Sequence, residues 1–171
     1  MRSLALSLHA DRPLDITSWL WALDDARRRT LETLAGMDAA LIDVPAGPQG
    51  ETIGMLLYHI AAIEADWLFA DVLEREFPEA VTALFPHDVR DGAGHLSNVI
   101  GQSLDEHLAR LATVRSYLHR ELKSLPDADW RRVRQMTGYT VTPEWVLHHL
   151  LQHEAEHRGQ IGWLHTLAKA T

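Results

Sequence analysis

An all-α fold, a four-helix bundle with a long crossover between helices 2 and 3, is what the sequence predicts, on three observations. Four long segments carry apolar residues at helical period. No segment shows sustained strand alternation. Between the second and third segments, residues 77–101 hold Pro78, Pro86, Gly92 and Gly94, a stretch long enough to cross between distant helix ends.

The first helix is expected over residues 15–37. Ile16, Leu20, Leu23, Leu31 and Leu34 form its apolar stripe, while Asp24, Asp25, Arg27, Arg28 and Arg29 fall largely on a solvated face. Trp19 and Trp21 point in different directions, so only one of them can face the core. VPAGPQG, residues 44–50, is a Pro/Gly turn. The second helix is expected over residues 52–75, with Thr52 as N-cap and a stripe of Ile53, Leu56, Leu57, Ile60, Ile63 and Trp67. A short helix is expected over residues 79–84, inside the crossover.

The third helix is expected over residues 103–125. Ser103 and Glu106 fit a capping box, and Pro126 ends the helix. Residues 127–141 are polar with some extended potential. The fourth helix opens at Thr142, Pro143 and Glu144: a capping hydroxyl, a proline in the first turn and an acid at the positive end of the helix dipole. It runs to about Lys169.

The 171 residues are expected to form one domain, residues 1–171, with enough apolar content (46%) to bury a core. A formal net charge of -8 argues against a nucleic-acid surface. There is no cysteine, so disulfides, thiolate metal sites and a cysteine nucleophile are excluded, and any metal must be held by His, Asp or Glu. The N-terminal MRSLALSLHADRP is too short and polar for a signal peptide, and no uninterrupted apolar run has the length of a membrane span. The expectation is a cytoplasmic protein with no membrane or nucleic-acid partner.

The chemistry concentrates in HHLLQHEAEHRGQ, residues 148–160. His149, His153 and His157 recur every four residues, a step that turns the helix only ~40° and rises ~6 Å, so they share one face. His153 and His157 lie toward the apolar side, among Val146, Leu150, Ile161 and Leu164. On the second helix His59 lies among Leu56, Ile60 and Ile63. Alone, His59 reads as a hydrogen-bonded core residue. With the other two it makes a three-His site with open positions, the arrangement a catalytic metal needs.

HEAEH formally matches the HExxH pattern of zinc proteases, but no further ligand motif or substrate-binding strand accompanies it. Glu154 is instead expected to point to solvent or to a neighbouring helix. His149 is a pocket or supporting residue, and His148 is rotated away. His9, His87, His95, His107, His119 and His165 have no partner spacing and read as surface residues. Asp66, seven residues after His59, could orient an imidazole, act as acid or base, or form an ion pair. Arg158 could bind an anionic substrate or pair with Glu154 four residues earlier, the second being preferred. Gly159 and Gly162 would allow close helix approach, and Trp67, Trp145 and Trp163 are core or pocket walls.

TIGMLLYHIAAIEADWLF, residues 52–69, and VTPEWVLHHLLQHEAEHRGQIGWL, residues 141–164, together resemble the DinB family, including its YfiT-type metal proteins. The second segment is the more specific, with histidine, three residues, then His-Arg-Gly-Gln-Ile. The resemblance covers nearly the whole chain. It implies an up-down-down-up bundle, commonly a homodimer, whose metal triad maps onto His59, His153 and His157. Zinc or nickel is the implied ion, with water or substrate in the open positions. Some relatives are S-transferases or isomerases using low-molecular-weight thiols, which implies a metal-dependent thiol transferase or hydrolase with a small-molecule substrate. The alternative is a metal-binding or dimerising helical protein, stress-related, without turnover.

Overall fold

Side-chain hydroxyls start three of the four long helices. Thr52 accepts from the Met55 amide at 3.1 Å, Thr142 accepts from the Trp145 amide at 3.4 Å, and Ser103 and Glu106 close the expected capping box. The computed structural model describes residues 1–4 and 16–170. Asp15 and His9 therefore lie outside the described residues.

In chain order the elements are β1 (Arg2–Leu4), α1 (Ile16–Leu34), α2 (Ile53–Asp66), a π-helical continuation (Trp67–Val72), the short α3 (Glu79–Thr82), α4 (Leu104–Lys123), β2 (Arg134–Gln135), β3 (Tyr139–Val141) and α5 (Pro143–Ala168). Side-chain pairings set the helix directions. Trp19 meets His148 and Arg27 meets Glu154, so α1 and α5 run parallel. Gly54 lies against His107 and Glu64 against Arg115, so α2 and α4 run parallel. His59 meets His153 while Trp67 meets Trp145, so α2 and α5 are antiparallel. The bundle is therefore up-down-down-up.

Two parallel neighbours joined in sequence need a connection that returns along the bundle, roughly 30 Å for twenty residues of helix. The crossover supplies it and is tied down. The Tyr58 hydroxyl donates to the His87 carbonyl at 2.6 Å and accepts from the His87 amide at 3.0 Å. Arg110 donates to the Leu84 carbonyl at 2.9 Å, and Val99 is fully buried.

Several expectations change. The α-helical ladder of α2 ends at Asp66 rather than near Arg75, because the next six residues wind as a π-helix. The chain then leaves the bundle at Glu74, whose φ is 52°. Strands also exist: β3 lies between β1, parallel to it, and β2, antiparallel to it. Strands of two or three residues are too short to show an alternation. Arg134, the buried residue of β2, donates to the carbonyls of Val72, Asp129 and Arg132 and so ties the sheet to the end of the π-helix.

On α1, Arg27 is buried rather than solvated and Leu31 is exposed. Trp19 is the tryptophan that packs on the core, and Trp21 is 68% exposed. Ile53–Val72, though interrupted by His59, Glu64, Asp66 and Asp71, has the length and mean hydropathy of a membrane span, but 78% of that window is buried inside the bundle. That is how a central helix of a water-exposed bundle behaves.

Candidate metal centre

His59 is presented by the middle of α2, and His153 and His157 by successive turns of α5. Because these helices are antiparallel neighbours, the three rings meet between them, with centroids 4.3 to 5.0 Å apart. His153 Nε2 lies 3.2 Å from His59 Nε2 and 3.0 Å from His157 Nε2. One ring nitrogen from each of the three lies within 4.8 Å of the other two. Nitrogen ligands of a tetrahedral zinc, each about 2.1 Å from the ion, stand roughly 3.4 Å from one another. The spacing is thus close to that of a ligand set.

The protonation pattern agrees. Gln160, one turn after His157, places Oε1 2.6 Å from His157 Nδ1. An amide oxygen only accepts, so Nδ1 carries the proton and the neutral ring turns its Nε2 lone pair to the cluster. Burial pushes the His59 pKa down to about 3, helped by the charges of His157 and Arg90. Burial, with His157 and His59 as neighbours, pushes His153 down to about 2, and burial also lowers His157. At neutral pH all three are uncharged bases. His59 Nδ1 is buried and has no hydrogen-bond partner among the described residues. Such a donor set suits a divalent cation, since a polar cluster closed only on itself would leave converging lone pairs unmatched.

The family model of the DinB superfamily matches residues 22–161. The chain belongs to the DinB superfamily. Among solved structures, a conserved protein from Enterococcus faecalis superposes with a TM-score of 0.71 at 19% identity, covering 93% of this chain and 100% of that one. YfiT from Bacillus subtilis, described as a probable metal-dependent hydrolase with an unusual four-helix bundle topology, superposes with a TM-score of 0.61 at 17% identity. It covers 92% of this chain and 91% of its own. These likenesses show the four-helix bundle fold. No curated protein matches the sequence significantly.

Around the DinB triad the sequence candidates divide. His149, one turn before His153, stacks on Trp145 with centroids 5.1 Å apart and a 10° interplanar angle, and it touches Trp67. Its centroid lies 5.8 Å from that of His153, so it belongs to the wall of the centre. Burial lowers its pKa. Asp66 opens on two other surface clefts, beside Ala62 and Phe77 and beside Ala70 and Met136. Their walls desolvate its carboxyl and raise its pKa, although the residue is exposed.

His157 and Gln160 line a cleft of about 340 Å³ with Arg90, Leu96, Trp163 and Leu164. The centre is therefore reachable from solvent. Gln160 and Arg90 were not anticipated. The spacing of three residues from His157 to Gln160 could have pointed to the first, whereas nothing periodic marks Arg90 in the crossover.

Glu154 is not a general base beside the triad. Its carboxylate is buried and taken by Arg27 and Arg115 at 2.7 and 3.0 Å, which also removes it as a partner for Arg158. Gly159 faces open space and Gly162 only an ordinary contact at 3.9 Å, so neither brings helices close. Gly54 does. A Cβ there would sit 3.1 Å from His107 Nε2 and 3.2 Å from Asp43 Oδ1. His107, expected at the surface, is fully buried against α2. His119 likewise has a partner, Asp24 at 2.8 Å, and His165 has a buried Nε2.

Proposed function

We propose that this DinB protein is a metal-dependent enzyme in which His59, His153 and His157 hold one divalent ion, zinc or nickel, beside a substrate cleft. The observation that carries the reading is the convergence of three Nε2 atoms, at 3.0 and 3.2 Å, with His157 among them lining a cleft open to solvent. A divalent ion held by neutral imidazoles supplies Lewis-acid polarisation and lowers the pKa of a coordinated water or thiol. The protein's own contribution is to keep the three rings neutral by burial and to fix the tautomer of His157 through Gln160. Three protein ligands leave open positions, as a reacting site requires and a closed structural site does not.

The reaction class we assign is hydrolysis or thiol S-transfer, with His149 as the acid–base group because its ring stands in the wall beside His153. The absence of cysteine is consistent with a thiol brought in as a cosubstrate. A binding protein without turnover is the weaker reading, because the cleft beside the triad would then have no use. We further assign a cytoplasmic homodimer. Trp21, 68% exposed on α1, supports the dimer, which sedimentation velocity would test.

The deciding experiment is metal analysis of protein purified without a histidine tag, beside His59→Ala and His153→Ala. About one equivalent of a divalent metal is expected in the wild type and none in either variant. Wild type that stays empty after incubation with zinc or nickel sinks the reading.

A further inference from the structure

We propose that Arg90 is the specificity-determining residue of the cleft and that the substrate is a small monocarboxylate with an apolar body. This rests on the metal-centre reading above. Arg90 lines the same cleft as His157 and Gln160, so a ligand whose reacting group lies at the imidazoles extends toward the guanidinium.

Arg90 is placed by a built turn. Asp91 Oδ1 accepts from the amides of Ala93 and His95, both at 2.9 Å, and Arg90 bridges to Leu96 across the turn. Its guanidinium gives one hydrogen bond, from Nη1 to the Gly94 carbonyl at 2.9 Å. No carboxylate among the described residues lies within ion-pair distance of it. Arg27, Arg115, Arg131 and Arg132, by contrast, all find acids. The remaining donors of the fork are free to take a planar carboxylate.

The other surfaces define the rest of the ligand. Leu56, Leu96, Trp163 and Leu164 provide an apolar wall, and about 340 Å³ suits a small molecule. Glu51 is the other charged residue of the lining, but its Oε2 accepts from the Gln49 amide at 3.0 Å and sits against Gly47, turned to its own loop. One cation and one nearby acid favour a monoanion over a polyanion.

The test uses protein loaded with cobalt(II), whose visible spectrum reports the site and whose near-ultraviolet charge-transfer band reports a thiolate bound there. 3-Mercaptopropionate, 3-mercaptopropanol and cysteamine are titrated into wild type, Arg90→Ala and Arg90→Lys. Wild type is expected to bind the carboxylate at least about tenfold tighter than the alcohol, with the amine weakest. Arg90→Ala should lose that preference while its affinity for the alcohol stays unchanged and cobalt binds at least as tightly as in wild type. Arg90→Lys should keep part of it. Equal affinities in the wild type, or a preference that survives in Arg90→Ala, overturn the assignment of Arg90 and leave the metal centre standing. A failure of cobalt to give a spectrum overturns the metal centre itself, and the Arg90 assignment with it.

Discussion

Helices α2 and α5 meet in two buried polar clusters that solve opposite problems. Where Glu64 and Glu154 meet, Arg27 and Arg115 arrive from α1 and α4. Arg27 binds both carboxylates, at 2.8 and 2.7 Å, and Arg115 binds both, at 2.8 and 3.0 Å. Further guanidinium donors reach the carbonyls of Leu111 and Leu23. Two buried guanidiniums and two buried carboxylates close a ring in which donors match acceptors, and Arg115 also reaches the half-exposed Asp24 at 3.3 Å. The other cluster, His59 with His153 and His157, contains only bases at neutral pH and gathers their lone pairs in one place. Burial alone would raise the Glu64 pKa, yet Arg115 and Arg27 outweigh it and the pKa falls. For the imidazoles burial prevails, and the charge of Arg90 drives them further from protonation. A buried cluster complete in itself holds helices together, whereas one short of a cation is what the proposed metal site requires.

The largest effect should come from breaking the complete ring. Glu64→Gln leaves two buried guanidiniums facing one buried carboxylate and should lower stability by about 3–5 kcal/mol in urea unfolding. Replacing all four members by apolar residues of similar volume should recover most of that loss, because the desolvation cost disappears with the charges. Metal affinity should survive in the fourfold variant if the two clusters are independent. A loss below about 1 kcal/mol for Glu64→Gln would mean that water reaches the ring.

The imidazole cluster was legible in the sequence, and the ring was not. His153 and His157 announce themselves by a spacing of four on an apolar stripe, and His59 by its place on another. The helix starts at Thr52, Ser103 and Thr142 were readable from side chains that can only cap. Arg27 was misplaced because a charged residue on an amphipathic helix reads as solvated, and nothing local says that its partner lies 127 residues away in Glu154. Glu154 was half read: it does turn to neighbouring helices, but to α1 and α4, and buried. His107 was misread because its neighbours in the core, Gly54 and Asp43, come from other elements. Arg90 stands in irregular chain, where there is no period to read.

The clusters should also part on titration. In metal-free protein, His59 and His153 have folded-state pKa values of about 3 and about 2, below the ordinary histidine value of 6.5. The unfolded chain binds protons in this range that the folded protein refuses, so stability is present above pH 6.5 and falls as the pH drops. Each fully depressed group contributes a slope of about 1.4 kcal/mol per pH unit. Glu64 is held below the ordinary carboxylate range by Arg115 and Arg27, so the slope between pH 6.5 and 5 is assigned to histidines. His107, pushed down to about 4 by burial, contributes in the same sense, which makes His59→Phe the informative variant. Urea unfolding across this range should show a smaller slope in His59→Phe than in wild type. Bound metal should raise the wild-type curve with little change of slope above pH 5, because the rings it occupies already carry no proton there.

The smallest change tests whether the open cluster is tuned by its support. Gln160 touches His157 Nδ1 and takes no part in the charge ring, so Gln160→Ala should leave urea stability of the metal-free protein within about 0.5 kcal/mol. It frees His157 to place its proton on Nε2, facing the ion, and removes the acceptor that makes the ring a better base. Loss of such a partner costs about 10–100-fold in metal affinity. Competition with a chromophoric chelator would measure it, and Gln160→Glu should bind at least as tightly as wild type because a carboxylate accepts the same Nδ1 proton more strongly. If Gln160→Ala bound metal as wild type does, the tautomer would be set by packing alone, and the open cluster would be as self-sufficient as the closed one.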